Sequence, residues 1–407
     1  MGYNWAMTRL RVLLGLLTLL VVGILGLFLS LYARGYRFDS QTLRFKPSGL
    51  LVVKSDPAGA QVFVNGELST ATDTTISLAP GTYDVSIKKE GFHPWNKRLL
   101  IEKEVVTEAI ASLFRVAPSL SSVTFSGAVG PVLSPDGTRI AFATPSSRED
   151  PEKGGLWLIE TVNLPIGFAR DPRRVTDGDL TTADWQFSPN GREILVSLGS
   201  SVFLLDSSTF TPQARRVNVA ARKEIILAEW EKERGTRLSS QIKILPDELV
   251  DILERKASSI VFSPDETKIL YTASGSATIR ENLIKPLPGS SNQKEERDIK
   301  NTRTYVYDIK EDRNFLIDEG AESLIIDSKV LPEATRRLSW FPTSKHLVLS
   351  EAGKITIIDY DGTNKQLVYS GSYVSPHAYP FGSTSRLLIL TNLGADTTPN
   401  LYSLTLK

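Results

Sequence analysis

The chain of 407 residues has no cysteine, which excludes disulfides, thiolate nucleophiles and thiolate-ligated metal centres. Histidine is nearly absent as well: His93, His346 and His377 are the three present, each in a separate local context. There is no His-Glu-x-x-His helix, no Gly-x-Ser-x-Gly elbow, no phosphate-cradling glycine loop and no dinucleotide fingerprint. No carboxylate pair stands apart from the ordinary solvated acids, so glycosidase-type acid/base chemistry has no identifiable actors. The expectation is a protein that is not an enzyme, with no catalytic residue, no metal ligands and no cofactor. A dominant charge of one sign is missing too. The 47 basic and 46 acidic side chains leave a net charge of +1, so no overall field draws the chain to nucleic acid.

One long apolar run is present. Residues 12–33, VLLGLLTLLVVGILGLFLSLYA, are free of charge. At 1.5 Å per residue such a helix is about 33 Å long, enough for the hydrocarbon core of a bilayer. A cleaved signal peptide would need a shorter apolar stretch and small residues at its exit, whereas Leu31, Tyr32 and Ala33 form no Ala-x-Ala-like site. A buried core helix is the other alternative. Arg9 and Arg11 precede the run and Arg34, Arg37, Arg44 and Lys46 follow it, so flanking charge alone does not orient it. The short lead and bulky sequel have the layout of a signal anchor. The expected topology is single-pass: residues 1–11 a short cytoplasmic tail, 12–33 a transmembrane helix in the lipid bilayer, 34–47 a linker, and an extracytoplasmic body. Gly15, Gly23 and Gly26 make no regular four-residue repeat, so a helix-dimerisation motif is not defined.

Residues 48–115 read as a small β domain. Short alternating runs are separated by turn residues: Asp56-Pro57-Ala58-Gly59 follows the first strand, and Asn65-Gly66 is a two-residue hairpin signal. The segments SDPAGAQVFVNG (Ser55, Pro57, Gly59, Ala60, Val62, Val64, Asn65, Gly66) and LAPGTYDVSIKKEGF (Leu78, Pro80, Gly81, Tyr83, Val85, Gly91, Phe92) resemble the PEGA domain family. The family's intervening Gly-x-Thr-Pro element is replaced here by residues 71–75, ATDTT. The resemblance implies a non-catalytic envelope module folded as a β-sandwich. Phe92 and Trp95, beside Lys97 and Arg98, make a candidate contact surface; the competing reading is that the two aromatics plug the open end of the β core.

Residues 116–407 repeat imperfectly. LSPDGTRIAFAT, FSPNGREILVSL and FSPDETKILYTA are each followed by a further strand-like run, and LSWFPTSKHLVLS and AYPFGSTSRLLILT continue the series. The Pro-Asp/Asn pairs read as hairpin turns rather than calcium loops, since the ligand spacing is missing. Small sheets of this kind bury their faces by stacking. The phrase SPDG before an apolar strand is similar to the TolB-like family, and that resemblance implies a β-propeller of five blades, or six, with residues 122–125 joining the last. Residues 220–257 break the pattern with apolar positions at helical spacing, a helical insertion carrying Trp230, either a partner-recognition residue or one packed back onto its own body. Residues 285–304, rich in polar residues, read as a flexible loop. The whole is expected to be mainly β: an anchored scaffold or binding protein that recognises a protein, peptide or glycan of the envelope. A purely structural wall component is the alternative and a hydrolase a third.

Overall fold

The computed structural model describes residues 3–33, 36–39, 44–146, 153–162, 171–285, 287, 291–320, 324–326, 336–382, 384–393 and 398–407. Helix α1, Tyr3–Ala33, comes first, and the span Leu13–Ala33 is long and apolar enough to cross a membrane. None of that span is buried against the rest of the molecule. Beyond it the chain divides into two compact units, the first including α1, residues up to Lys89, Pro94–Leu113 and Leu287–Gln293, the second holding the remainder.

Besides a short antiparallel pairing of Arg37–Asp39 with Arg44–Lys46 inside the expected linker, the first unit contains two larger sheets. Gly49–Asp56 lies between Thr74–Leu78, antiparallel, and Val106–Ser112, parallel. The second sheet runs in the order Glu67–Ala71, Gln61–Val64, Gly81–Lys88, Trp95–Ile101, all antiparallel. Period-two alternation explains the core: Leu51 and Val53 turn inward from one strand, Ala109 and Ala111 from its neighbour, and Val85, Ile87, Trp95 and Leu99 from the other sheet. Asn65 and Gly66 both take positive φ, 51° and 86°, as a tight hairpin between twisted strands requires. Where residues 71–75 depart from the family pattern, Thr72 substitutes a buried polar tie. Its hydroxyl lies 2.6 Å from Ser55 Oγ and accepts the Ala60 N–H at 2.9 Å, while Asp73 Oδ1 accepts the Ser55 N–H at 3.0 Å.

The second unit is a set of separate sheets. Val129–Leu133, Arg139–Thr144, Gly155–Glu160 and Arg173–Asp177 form one, and Asp184–Phe187, Glu193–Leu198 and Ser201–Asp206 the next. Ala257–Phe262, Lys268–Ala273, Thr304–Asp308 and Arg313–Asp318 form another. A five-stranded sheet runs from Leu324–Ile326, its one parallel member, to Gln366–Ser370. The last combines Ala378–Phe381, Arg386–Thr391 and Asn400–Thr405 with Ser119–Ser122. The strand that joins the C-terminal one is thus Ser119–Ser122, earlier in the chain than the expected 122–125.

These observations correct the expectation of a mainly β chain ending in a five- or six-bladed β-propeller. The architecture is mixed α/β, built of several separate antiparallel sheets, and among the described residues no sheet closes into a barrel or propeller. The physical reason lies in the helices. Helix α2, Lys223–Ile242, and helix α3, Asp247–Lys256, pack back onto the sheets as layers, one of the two readings the sequence allowed for Trp230. Ile226 and Trp230 of α2 cover Leu195 and Val202 of one sheet. Leu249, Ile252 and Leu253 of α3 cover Ile269, Tyr271, Tyr305 and Tyr307 of another. Here a sheet face is therefore buried by helix and not by a neighbouring sheet, as it is between Leu156, Leu158, Val175 and Trp185, Phe187, Ile194. Helix α3 is set up locally by Pro246 before its first turn, Asp247 and Glu248 at its positive end, and Arg255 and Lys256 at its negative end.

Of residues 285–304, expected as a flexible loop, 286 and 288–290 lie outside the described residues. Asp298–Ile299 pairs with Ala277–Thr278, Ile299 is buried, and Asn314 Nδ2 donates to Glu296 O at 2.7 Å.

Candidate functional site

The strands Gly81–Lys88 and Trp95–Ile101 form a hairpin in which Asp84 opposes Arg98, Val85 opposes Lys97, Ser86 opposes Asn96 and Ile87 opposes Trp95. Alternation sends Val85, Ile87, Trp95 and Leu99 into the core and leaves Asp84, Ser86, Asn96 and Arg98 on the other face. That face, with Gly66, Lys97 and Gln293, lines a shallow hollow of about 300 Å³. Arg98 clasps Asp84 with two bonds, Nε to Oδ1 at 2.7 Å and Nη2 to Oδ2 at 3.0 Å. This bidentate pairing holds the Asp84 carboxyl below the usual carboxylate range and the Arg98 guanidinium above its own. Asn65 fixes the other end of Asp84, donating its N–H to Asp84 O at 2.8 Å and accepting the Asp84 N–H on Oδ1 at 2.9 Å. Gln293 Nε2 donates to the Arg98 carbonyl at 2.6 Å, and Ser86 Oγ is buried without a hydrogen-bond partner. Amide, hydroxyl and paired charges of both signs suit hydrogen bonding to a polar ligand. No nucleophile or general base is activated in this hollow.

The residues singled out from sequence scatter. Lys97 and Arg98 lie together at the hollow, with the Lys97 ammonium 5.5 Å from the centre of the Trp95 ring. Trp95 itself is core. Phe92 belongs to the second unit, half-buried, with the Arg115 guanidinium 5.2 Å above its ring. Trp230 is buried under α2, against Leu195 and Val202. Sequence reasoning missed Asp84, Ser86, Asn96 and Gln293. The hairpin alternation contained the Asp84–Arg98 pairing once a register is chosen, but Gln293 arrives from a segment almost two hundred residues away in the chain, for which there is no local signal.

The histidines are apart. His93 Nε2 is 2.9 Å from Leu367 O. His346 is buried, with Nδ1 2.7 Å from Thr343 Oγ1 and Nε2 3.6 Å from Asp359 Oδ1. His377 is buried with Nδ1 2.8 Å from the Tyr379 hydroxyl. Among the described residues no group of three or more His, Asp and Glu side chains is placed to hold a metal ion.

Comparison with known proteins bears on the unit that carries this hollow. Residues 48–116 match the family model of the PEGA domain. No curated protein sequence matches the chain. Among solved structures, a TolB-type protein from Agrobacterium tumefaciens is 14% identical, with 70% of this chain and 80% of that one covered and a TM-score of 0.22. TolB from Acinetobacter baumannii is 13% identical, with 80% and 59% covered and a TM-score of 0.18. The likeness to TolB proteins is weak, and neither fold nor activity is carried over from it.

Proposed function

We propose that this protein is a membrane-anchored, non-catalytic binding or scaffold protein of the cell envelope. Helix α1 crosses the bilayer once, the N-terminus is cytoplasmic, and the remainder faces the extracytoplasmic side, where it engages a protein, peptide or glycan. One observation carries this reading. From Leu13 to Ala33 the helix exposes leucine on every side, with Leu13, Leu16, Leu19, Leu25 and Leu29 all more than 60% exposed, and none of the span is buried within the molecule. Each such side chain left in water forgoes about 1.5–3 kcal/mol of burial, and a bilayer is the solvent that recovers it. The PEGA-type segment behind it supports an envelope setting, and the Asp84–Arg98 hollow supplies the polar contacts a ligand would use.

The absence of cysteine makes the topology directly testable. A single Ser372→Cys substitution should be labelled by a membrane-impermeant maleimide on intact cells, while the protein stays in the membrane through a high-salt wash and leaves it only in detergent. Protection of residue 372 would refute the orientation, and release by salt would refute the anchor. For the binding role, the detergent-solubilised full chain should capture an envelope component saturably, and Lys97→Glu with Arg98→Glu should weaken that capture; no saturable capture across varied salt would sink it.

A further inference from the structure

The loop between Trp95–Ile101 and Val106–Ser112, residues Glu102 to Val105, is built onto the start of the strand Gly49–Asp56. Glu104 N donates to Ser48 O at 3.2 Å, and Leu50 N donates to Val105 O at 3.0 Å. Gly49 lies so close beneath the loop that a Cβ there would collide with the Glu102 carbonyl and the Ile101 side chain. The loop is therefore a fixed platform, at the end of the unit where the chain enters from α1.

Two further contacts tie that platform to the helix end. Tyr36 N donates to Leu31 O at 3.0 Å, which fastens Tyr36 to the last turn of α1. The Lys103 ammonium sits 5.4 Å from the centre of the Tyr36 ring. Bonding to Tyr36, and then the Glu104 carboxylate 3.5 Å away, raise the Lys103 pKa above its ordinary value. On either side of the loop Leu100 and Val106 leave apolar side chains 41% and 50% exposed. Tyr36, Lys103, Leu100 and Val106 bring together the residue types that populate a membrane–water boundary.

We propose that residues Glu102–Val106, with Leu100 and Tyr36, form a bilayer-contacting surface seated among the phospholipid headgroups where α1 emerges. This rests on the reading that α1 crosses a bilayer. The loop carries Glu102 and Glu104 against Lys103, so the contact does not depend on attraction to anionic lipid. Lys103 meets the phosphate oxygens that every phospholipid offers, and Leu100 and Val106 reach the acyl boundary. The opposite end of the unit, at Asp56, Pro57 and Ala58, stands about 23 Å away along an eight-residue strand and faces water.

The full chain is reconstituted in phosphatidylcholine bilayers with a fluorophore on one introduced cysteine, Glu102→Cys, Val106→Cys, Ala58→Cys or Leu20→Cys. Quenching is then read with lipids bearing a spin label on the headgroup or on the acyl chain. Headgroup-labelled lipid should quench positions 102 and 106 and leave 58 bright, and acyl-labelled lipid should quench 20. If 20 is quenched while 102 and 106 stay as bright as 58, the proposal is wrong and the anchor stands. If 20 is not quenched, the anchor reading fails and the headgroup contact fails with it.

Discussion

Burial of His377 fixes both its tautomer and its response to acid. The Tyr379 hydroxyl gives its one hydrogen to Pro131 O at 2.6 Å, so His377 Nδ1, 2.8 Å from the same oxygen, must carry a proton and donate it. Desolvation, and then the Arg337 guanidinium beside the pair, push the His377 pKa down to about 4. An unfolded chain would bind that proton near pH 6.5. The folded-state value is the lower one, so the stabilisation is complete above pH 6.5 and is lost as pH falls from there toward 4. A shift of that size corresponds to at most about 3 kcal/mol. Denaturant titrations of the second unit at pH 7 and pH 4.5 should show this loss, and His377→Gln should remove most of the pH dependence at the cost of lower stability at neutral pH. An unchanged slope in the variant would assign the acid sensitivity to other groups. Nothing in the local sequence Pro376-His377-Ala378 announces this burial, because the partners at positions 131 and 337 come from other strands.

The repeated turns show the opposite case, an element written almost wholly in local sequence. In the first, Ser134 Oγ donates to Asp136 Oδ1 at 2.6 Å and accepts the Arg139 N–H at 2.9 Å, while Asp136 Oδ1 also accepts the Thr138 N–H. Ser188 with Asn190, and Ser263 with Asp265, repeat the same set of bonds. The serine is the hub, and it is buried in all three. Replacing it by alanine strands a backbone N–H at position 139, 193 or 268, and a donor left unpaired there costs about 1–3 kcal/mol. Ser134→Ala, Ser188→Ala and Ser263→Ala should thus destabilise to a similar degree although they lie in three different sheets; a silent substitution at any one would break the equivalence. Gly137, at φ 70°, has open space where a Cβ would stand, so Gly137→Ala should add only the conformational penalty of about 1 kcal/mol. The fourth copy puts Phe341 in place of the serine, and there Thr343 bonds to His346 instead. Turns, α1, α2, α3 and the PEGA-type hairpin were legible for this reason: their determinants lie within a few residues. What covers each sheet was not. Helical periodicity announces α2 and α3, but only the folded chain shows that Trp230 and Leu253 bury sheet faces, which turned an expected propeller with an insertion into a mixed α/β body.

At the scale of the molecule, each unit has its own apolar core. Leu51, Val53, Val62, Ile87 and Ala109 fill the first; Leu249, Leu253, Ile269, Tyr271 and Tyr305 belong to one cluster of the second. Most stabilising burial is therefore internal to a unit, and the two should melt as separate cooperative steps in the full chain held in detergent. Leu51 and Leu253 are both fully enclosed. Truncating a buried leucine to alanine removes about 2–5 kcal/mol from the core that holds it. Leu51→Ala should lower one calorimetric transition and Leu253→Ala the other, each by on the order of 10 °C. If both substitutions move one shared transition equally, the cores are coupled into a single folding unit. A ligand held by the Asp84–Arg98 hollow gives the complementary reading: it should raise the step sensitive to Leu51→Ala and leave the other in place, because binding energy stabilises only the structure that must unfold to release the ligand.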